Sequence, residues 1–110
     1  MIHVTIYQNQ RKEFTGFKTY GHAGFADEGQ DIVCAAASVL IINTINAIEK
    51  FTEDNASMVS DDPDGVIEYS IDDRPTKEAE LLLRTMVLGL EEMSDDENYA
   101  EYIDLTFEEV

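Results

Sequence analysis

Residues 31–51, DIVCAAASVLIINTINAIEKF, decide the fold. Asp31 is a good N-cap, because its side chain can accept hydrogen bonds from the free amides of a first helical turn. The helix predicted behind it runs to about Phe51. From Ile32 to Ile42 it is apolar almost all round, the pattern of a buried central helix. Asn43, Asn46 and Lys50 recur at three-and-four spacing, so one face of the later turns meets solvent. A helix this apolar cannot be covered on one side only. It calls for a second layer or a subunit interface.

Outward from this helix the pattern changes period. Ile2, Val4 and Ile6 alternate with His3, Thr5 and Tyr7, which marks a strand with one buried face. A polar stretch, Gln8 to Glu13, leads to a second strand over about Phe14 to His22. Gly24 to Gln30 lacks periodicity and is read as a loop. After the helix, Ser57–Asp61 and Val66–Ile71 flank Asp62-Pro63-Asp64-Gly65, a hairpin signal built from a proline-fixed dihedral and a permissive glycine. Pro75 and Thr76 open a second helix to about Met93, with Leu82, Met86, Leu90 and Met93 as its apolar stripe. Ser94 to Asn98 is an acidic loop, and Tyr99 to Phe107 is a last strand. The order ββαββαβ, without linker or repeat, predicts one α/β domain of α+β type. Its mixed sheet has about five strands and packs against two helices.

The 110 residues suit a single domain with one core. Seven basic against 24 acidic residues give a net charge of −17, and no Lys or Arg follows Arg84. Nucleic acid is therefore a poor partner, since phosphate binding depends on clustered cations. A basic protein or peptide fits better, although acidity that only maintains solubility fits the composition equally well. A single cysteine excludes an internal disulfide, and without Cys or His clusters no metal site is expected. MIHVTIYQ reads as a strand, not as a basic-then-apolar leader. The stretch Ile32–Ile48, interrupted by Ser38, Asn43, Thr44 and Asn46, is read as too short and too polar to span a bilayer. A soluble, cytoplasmic protein is the expectation.

The lone cysteine lies in GHAGFADEGQDIVCAAASVL, residues 21–40. With Asp31 as cap, Cys34 is the third helical residue, where amides and the macrodipole favour a thiolate and could hold an oxyanion. Asp31, Cys34 and Ser38 share one stripe at helical spacing. His22, at a strand end, could reach Cys34 as general base if the loop folds back. The bland readings are equally concrete: Cys34 packs beside Ala35–Ala37, His22 is a satisfied polar group, and Ser38 bonds to the backbone. Asp31 serves more simply as a cap than as a catalytic acid, and His3 is read as inert. The loop Gly24–Gln30 is a plain connector, or a lid hinged at its glycines with Phe25, Asp27 and Glu28 facing a basic substrate.

Gly21-His22-Ala23, the loop ending Gly29-Gln30-Asp31, and Ile32-Val33-Cys34-Ala35-Ala36 with Ser38 together resemble the ribosomal-processing cysteine proteases of bacteria, the Prp family. The likeness extends more loosely over the whole chain. It implies a catalytic dyad of His22 and Cys34, supported by Asp31 and Ser38, with Gly21, Ala23, Gly24 and Phe25 near the substrate. It implies a homodimer and no cofactor. It further implies removal of a short amino-terminal extension from the precursor of large-subunit ribosomal protein L-twenty-seven, with cleavage after an aromatic residue. Two other readings stay open: a non-catalytic acidic module binding a basic ribosomal or assembly protein, and a redox sensor, which lacks a resolving cysteine.

Overall fold

The computed structural model describes residues 1–21, 28–61 and 65–110, with residues 28–31 described in backbone only. Five strands and two helices follow in the order β1 (Ile2–Gln8), β2 (Phe14–Tyr20), α1 (Glu28–Phe51), β3 (Ala56–Asp61), β4 (Val66–Ile71), α2 (Lys77–Asp95) and β5 (Ile103–Glu109). They form one sheet in the order β3-β4-β2-β1-β5, antiparallel except for β1 beside β5. The expected mixed sheet and the ββαββαβ order are both present.

The alternation in β1 sets the two faces. Ile2, Val4 and Ile6 are buried, in register with Ile103, Leu105 and Phe107 of β5 and, through Val4 and Ile6, with Thr19 and Phe17 of β2. Tyr69 of β4 continues that face opposite Phe17, and the two rings stack 5.4 Å apart. Both helices supply the other half of the core, α1 through Val33, Ala37, Ile41 and Ile48, and α2 through Ala79, Leu83, Met86, Val87 and Leu90. Gly16 allows β2 to approach β4, since a Cβ there would lie 2.1 Å from the Tyr69 carbonyl oxygen.

Several boundaries depart from the sequence pattern. The helix begins at Glu28, so Asp31 is its fourth residue rather than its N-cap, and Gly29 and Gln30 are helical rather than loop. A period-based reading starts a helix where its apolar face starts, and here a polar first turn precedes that face. The last strand begins at Ile103, because residues 99–102 are turns. In α2, Leu82 is only half-buried and Leu83 takes its place in the core. Asp62, Pro63 and Asp64 lie outside the described residues, while Gly65 has the positive φ of 65° that the turn reading requires.

The bilayer argument also changes. Extended to Phe51, the apolar part of α1 reaches 20 residues with a mean hydropathy of 1.8, long and apolar enough to cross a membrane by length and composition. A core helix meets the same criteria, and Val33, Ala37, Ile41, Thr44 and Ile48 bury one face of α1 in the core. Asn43, Asn46 and Lys50 are exposed as expected, and so are Ile32, Val39 and Ile42. The apolar excess therefore emerges on the surface of the single chain.

α2 is tied to the turn before β3. The Thr76 hydroxyl caps the helix by accepting from the Ala79 amide, and the Asp54 carboxylate accepts from both the Thr76 amide (2.9 Å) and its hydroxyl. Partial burial pushes the Asp54 pKa up. Hydrogen bonds from the Thr76 side chain and amide, then from Thr52, outweigh that and hold it below the ordinary 3.8. A carboxyl depressed on folding contributes stability above its unfolded pKa and loses it as pH falls through the folded value. Asp54→Ala is expected to lower stability by about 1 kcal/mol near neutral pH. In urea titrations repeated down to pH 2, the gap between the two proteins should narrow below about pH 4.

Candidate active site

β2 leads the chain to the site and Gly21 turns it out of the sheet. Its φ is +88°, and a Cβ there would lie 2.3 Å from the Met1 carbonyl oxygen. Only glycine fits such a position without moving backbone. This fixes the point at which the chain leaves toward His22. His22, Ala23, Gly24 and Phe25 lie outside the described residues, as does the proposed lid residue Asp27.

Across from this exit, α1 and the β3–β4 hairpin enclose a cavity of about 200 Å³. Gly21, Ile2 and Thr19 form its sheet wall, and Ser60, Asp61, Gly65 and Ile67 its hairpin wall. Cys34, Ala37, Ser38 and Ile41 line it from the helix, one turn apart, as the shared stripe of Cys34 and Ser38 requires. Cys34 is half-buried, packed against the core on one side and open to the cavity on the other. Ser38 is exposed at the rim. The side chain of Asp31 is not among those described.

With the helix starting at Glu28, Cys34 is the seventh residue of α1, not the third. An amide at position seven is already committed to the carbonyl four residues back. The macrodipole acts mainly within the first turn. A helical side chain leans toward the amino terminus, so the thiol still approaches that first turn, but the helix alone is a weaker source of thiolate stabilisation than expected.

Two residues of the cavity escaped the sequence reading. Asp61 adds a carboxylate to its wall. Thr19 is 6% exposed as a residue, and its hydroxyl, which makes no hydrogen bond among the described residues, opens on the cavity rather than being sealed in the core. A signal was present: Thr19 occupies an inward position of the β2 alternation, where an apolar residue is the norm. His3 sits on the opposite sheet face, its Nδ1 2.8 Å from Asp104 and its ring stacked on Tyr20. It has no place in this cavity. No cluster of possible metal ligands occurs among the described residues.

Residues 1–104 match the sequence model of the family described as cysteine protease Prp. The chain belongs to that family. It is 35% identical to the ribosomal processing cysteine protease Prp of Staphylococcus aureus over 107 residues, 97% of this chain and 99% of that one. Identity to the Bacillus subtilis protein of the same name is 29%, over 87% and 89% of the two chains. The fold superposes on S. aureus Prp crystallised with a substrate peptide at a TM-score of 0.90, with 32% identity over 98% of this chain and all of that one. On S. aureus Prp with a covalently linked product peptide the TM-score is 0.86, with 34% identity and the same coverage. As a member of that family the chain is a cysteine protease, and Cys34 is its sole cysteine.

A hydroxyl that opens on a cavity and is not engaged by the protein is available to the amide or carbonyl of a peptide placed there. Replacing it by an isosteric apolar group removes that bond without leaving a buried polar orphan. Thr19→Val should therefore keep the urea midpoint and raise KM for a cleaved peptide about tenfold, with kcat nearly unchanged. A KM equal to that of the parent would remove Thr19 from the site.

Proposed function

We propose that this Prp protein is a processing endopeptidase in which His22 takes the proton from Cys34 and the thiolate attacks the scissile carbonyl. The observation that carries the reading is the position of Cys34, half-buried yet facing a cavity open to solvent, in a chain matched over 97% of its length by a ribosomal processing protease. A cysteine serving only to pack has no need of that opening. The reading with His22 as base is supported by the weak help that Cys34, two turns into α1, draws from the helix terminus. Without a first-turn dipole beside it, the thiol depends more on a proton acceptor. Asp31 then orients the imidazole, and Ser38 hydrogen-bonds near the sulfur. Imidazolium protonates the leaving amine, and water hydrolyses the thioester.

The substrate in this reading is the precursor of large-subunit ribosomal protein L-twenty-seven, cut in the cytoplasm after an aromatic residue at the end of its amino-terminal extension. Gly21, Ala23, Gly24 and Phe25 contact the peptide. The charge of −17 supports a basic partner, because opposite fields raise the rate of encounter. Incubation with a peptide copying the precursor's amino terminus tests the assignment by mass spectrometry. One cut after an aromatic residue is expected, lost in Cys34→Ala and reduced at least a hundredfold in His22→Ala. Alkylation of folded Cys34 should be slower in His22→Ala below pH 7. Cleavage surviving in Cys34→Ala would falsify the mechanism.

The protein acts as a homodimer through the outward face of α1. Ile32, Ala36 and Val39 follow one another at helical spacing on that face, and all three are exposed. An apolar strip of this kind on a single chain is what a second copy covers. Sedimentation should give twice the chain mass for the parent and the mass of one chain for Val39→Glu. A monomeric parent at micromolar concentration would refute the dimer.

A further inference from the structure

A second cavity, of about 470 Å³, lies farther along the same side of α1, where the helix passes over β3 and β4 without closing on them. Ile45 and Met58 provide apolar wall, Tyr69 part of the floor, and Glu49, Glu53 and Asp54 an acidic rim. Tyr69 is 4% exposed as a residue, and its hydroxyl, which makes no hydrogen bond among the described residues, opens on the cavity rather than being sealed in the core. Its ring is fixed by stacking on Phe17. A hydroxyl that opens on a cavity and is not engaged by the protein is free to bond to a group that enters it.

The candidate active-site cavity and this one follow one another along the same side of α1, with no lining residue in common. Cys34, Ser38, Ile41 and Ile42 line the first, and Ile45, Glu49 and Thr52 line the second, at three-and-four spacing along one helix. On the sheet side, Ser60 and Ile67 give way to their strand neighbours Met58 and Tyr69. From Cys34 to Ile45–Glu49 the axial rise is about 17 to 22 Å at 1.5 Å per residue. An extended peptide covers that span in about five to seven residues.

We propose that this second cavity is a remote subsite that receives a lysine or arginine side chain of the peptide substrate, five to seven residues from the scissile bond. The aliphatic stem lies against Ile45 and Met58, as such stems do on apolar surface. The cationic head donates hydrogen bonds to the Tyr69 oxygen and to the carboxylates of the rim. Burial, and then the negative charges of Asp54, Glu49 and Asp72, raise the Tyr69 pKa above its ordinary value, which keeps the phenol neutral. A cation among these carboxylates relieves their mutual repulsion, while an acidic side chain adds to it. A simple metal ion is a poorer occupant, because half of the wall is apolar.

The proposal rests on the protease reading, and the test separates the two. Starting from the peptide cleaved above, charged residues are replaced by neutral ones and a single lysine is moved through ten positions on each side of the scissile bond, with norleucine as the paired control. Binding of the labelled peptides to Cys34→Ala is followed by fluorescence anisotropy, and kcat/KM is measured with the parent enzyme. On one side of the bond, lysine at five to seven residues should bind about tenfold tighter than norleucine. The same ratio is expected in kcat/KM. The advantage should fall below twofold in Tyr69→Phe, which keeps the ring stack, and in Glu49→Gln. A lysine effect independent of position, or one that persists in both variants, overturns the subsite. Absence of cleavage by the parent instead overturns the substrate reading, while the anisotropy ratios still decide the subsite.

Discussion

Everything in this molecule follows from a single helix that is more apolar than one sheet can cover. α1 buries Val33, Ala37, Ile41 and Ile48 against the core, which fixes its rotation about its own axis. That rotation turns Cys34 and Ser38 toward the β3–β4 hairpin and leaves Ile32 and Val39 facing away from the chain. Core, cavity-lining stripe and outward strip are three sectors of the same cylinder. A change that rolled the helix by one residue, about 100°, would disturb all three together.

The two cavities exist because α1 does not settle evenly on the sheet. α2 lies over β2 and β5 and is locked at its start by Asp54 and Thr76 and along its side by Glu80, which accepts from the Phe14 amide and pairs with Arg84. α1 packs against α2 rather than down onto the hairpin. Space therefore remains between the helix and β3–β4. A tighter core would bury more apolar surface at about 25 cal/mol per Å² but would have no room for a peptide. The unpartnered hydroxyls of Thr19 and Tyr69 are both found on the walls of that space.

The sheet and its order were legible because the period changes cleanly from two in β1 to three-and-four in α1 and back again. The hairpin was legible from Gly65 and its neighbours. What escaped were features that carry no period. The polar first turn of α1 reads as loop in the sequence because it carries no apolar period, and that mistake moved Cys34 from the seventh helical position to the third. Cys34 and Ser38 were recognisable as one stripe, since helical geometry alone dictates it. The part played by Thr19 and Tyr69 needed the cavities, because a polar residue at an inward strand position announces an exception without saying what it serves.

The sheet also has two unequal borders. β5, at one end, carries Asp104, Glu108 and Glu109, charges of a kind that discourage another strand from pairing there. β3, at the other, is exposed along its whole length and carries Met58 and Val59 between small residues, with acidic Asp61 only at its far end. Mutual repulsion between strongly acidic molecules guards this weaker border from a distance. That guard is ionic and fades at separations beyond the Debye length, about 10 Å at 0.1 M salt. Colloidal behaviour, rather than folding, is thus the property of this chain most exposed to ionic strength, and β3 is the border at which edge-to-edge strand pairing between folded molecules would begin.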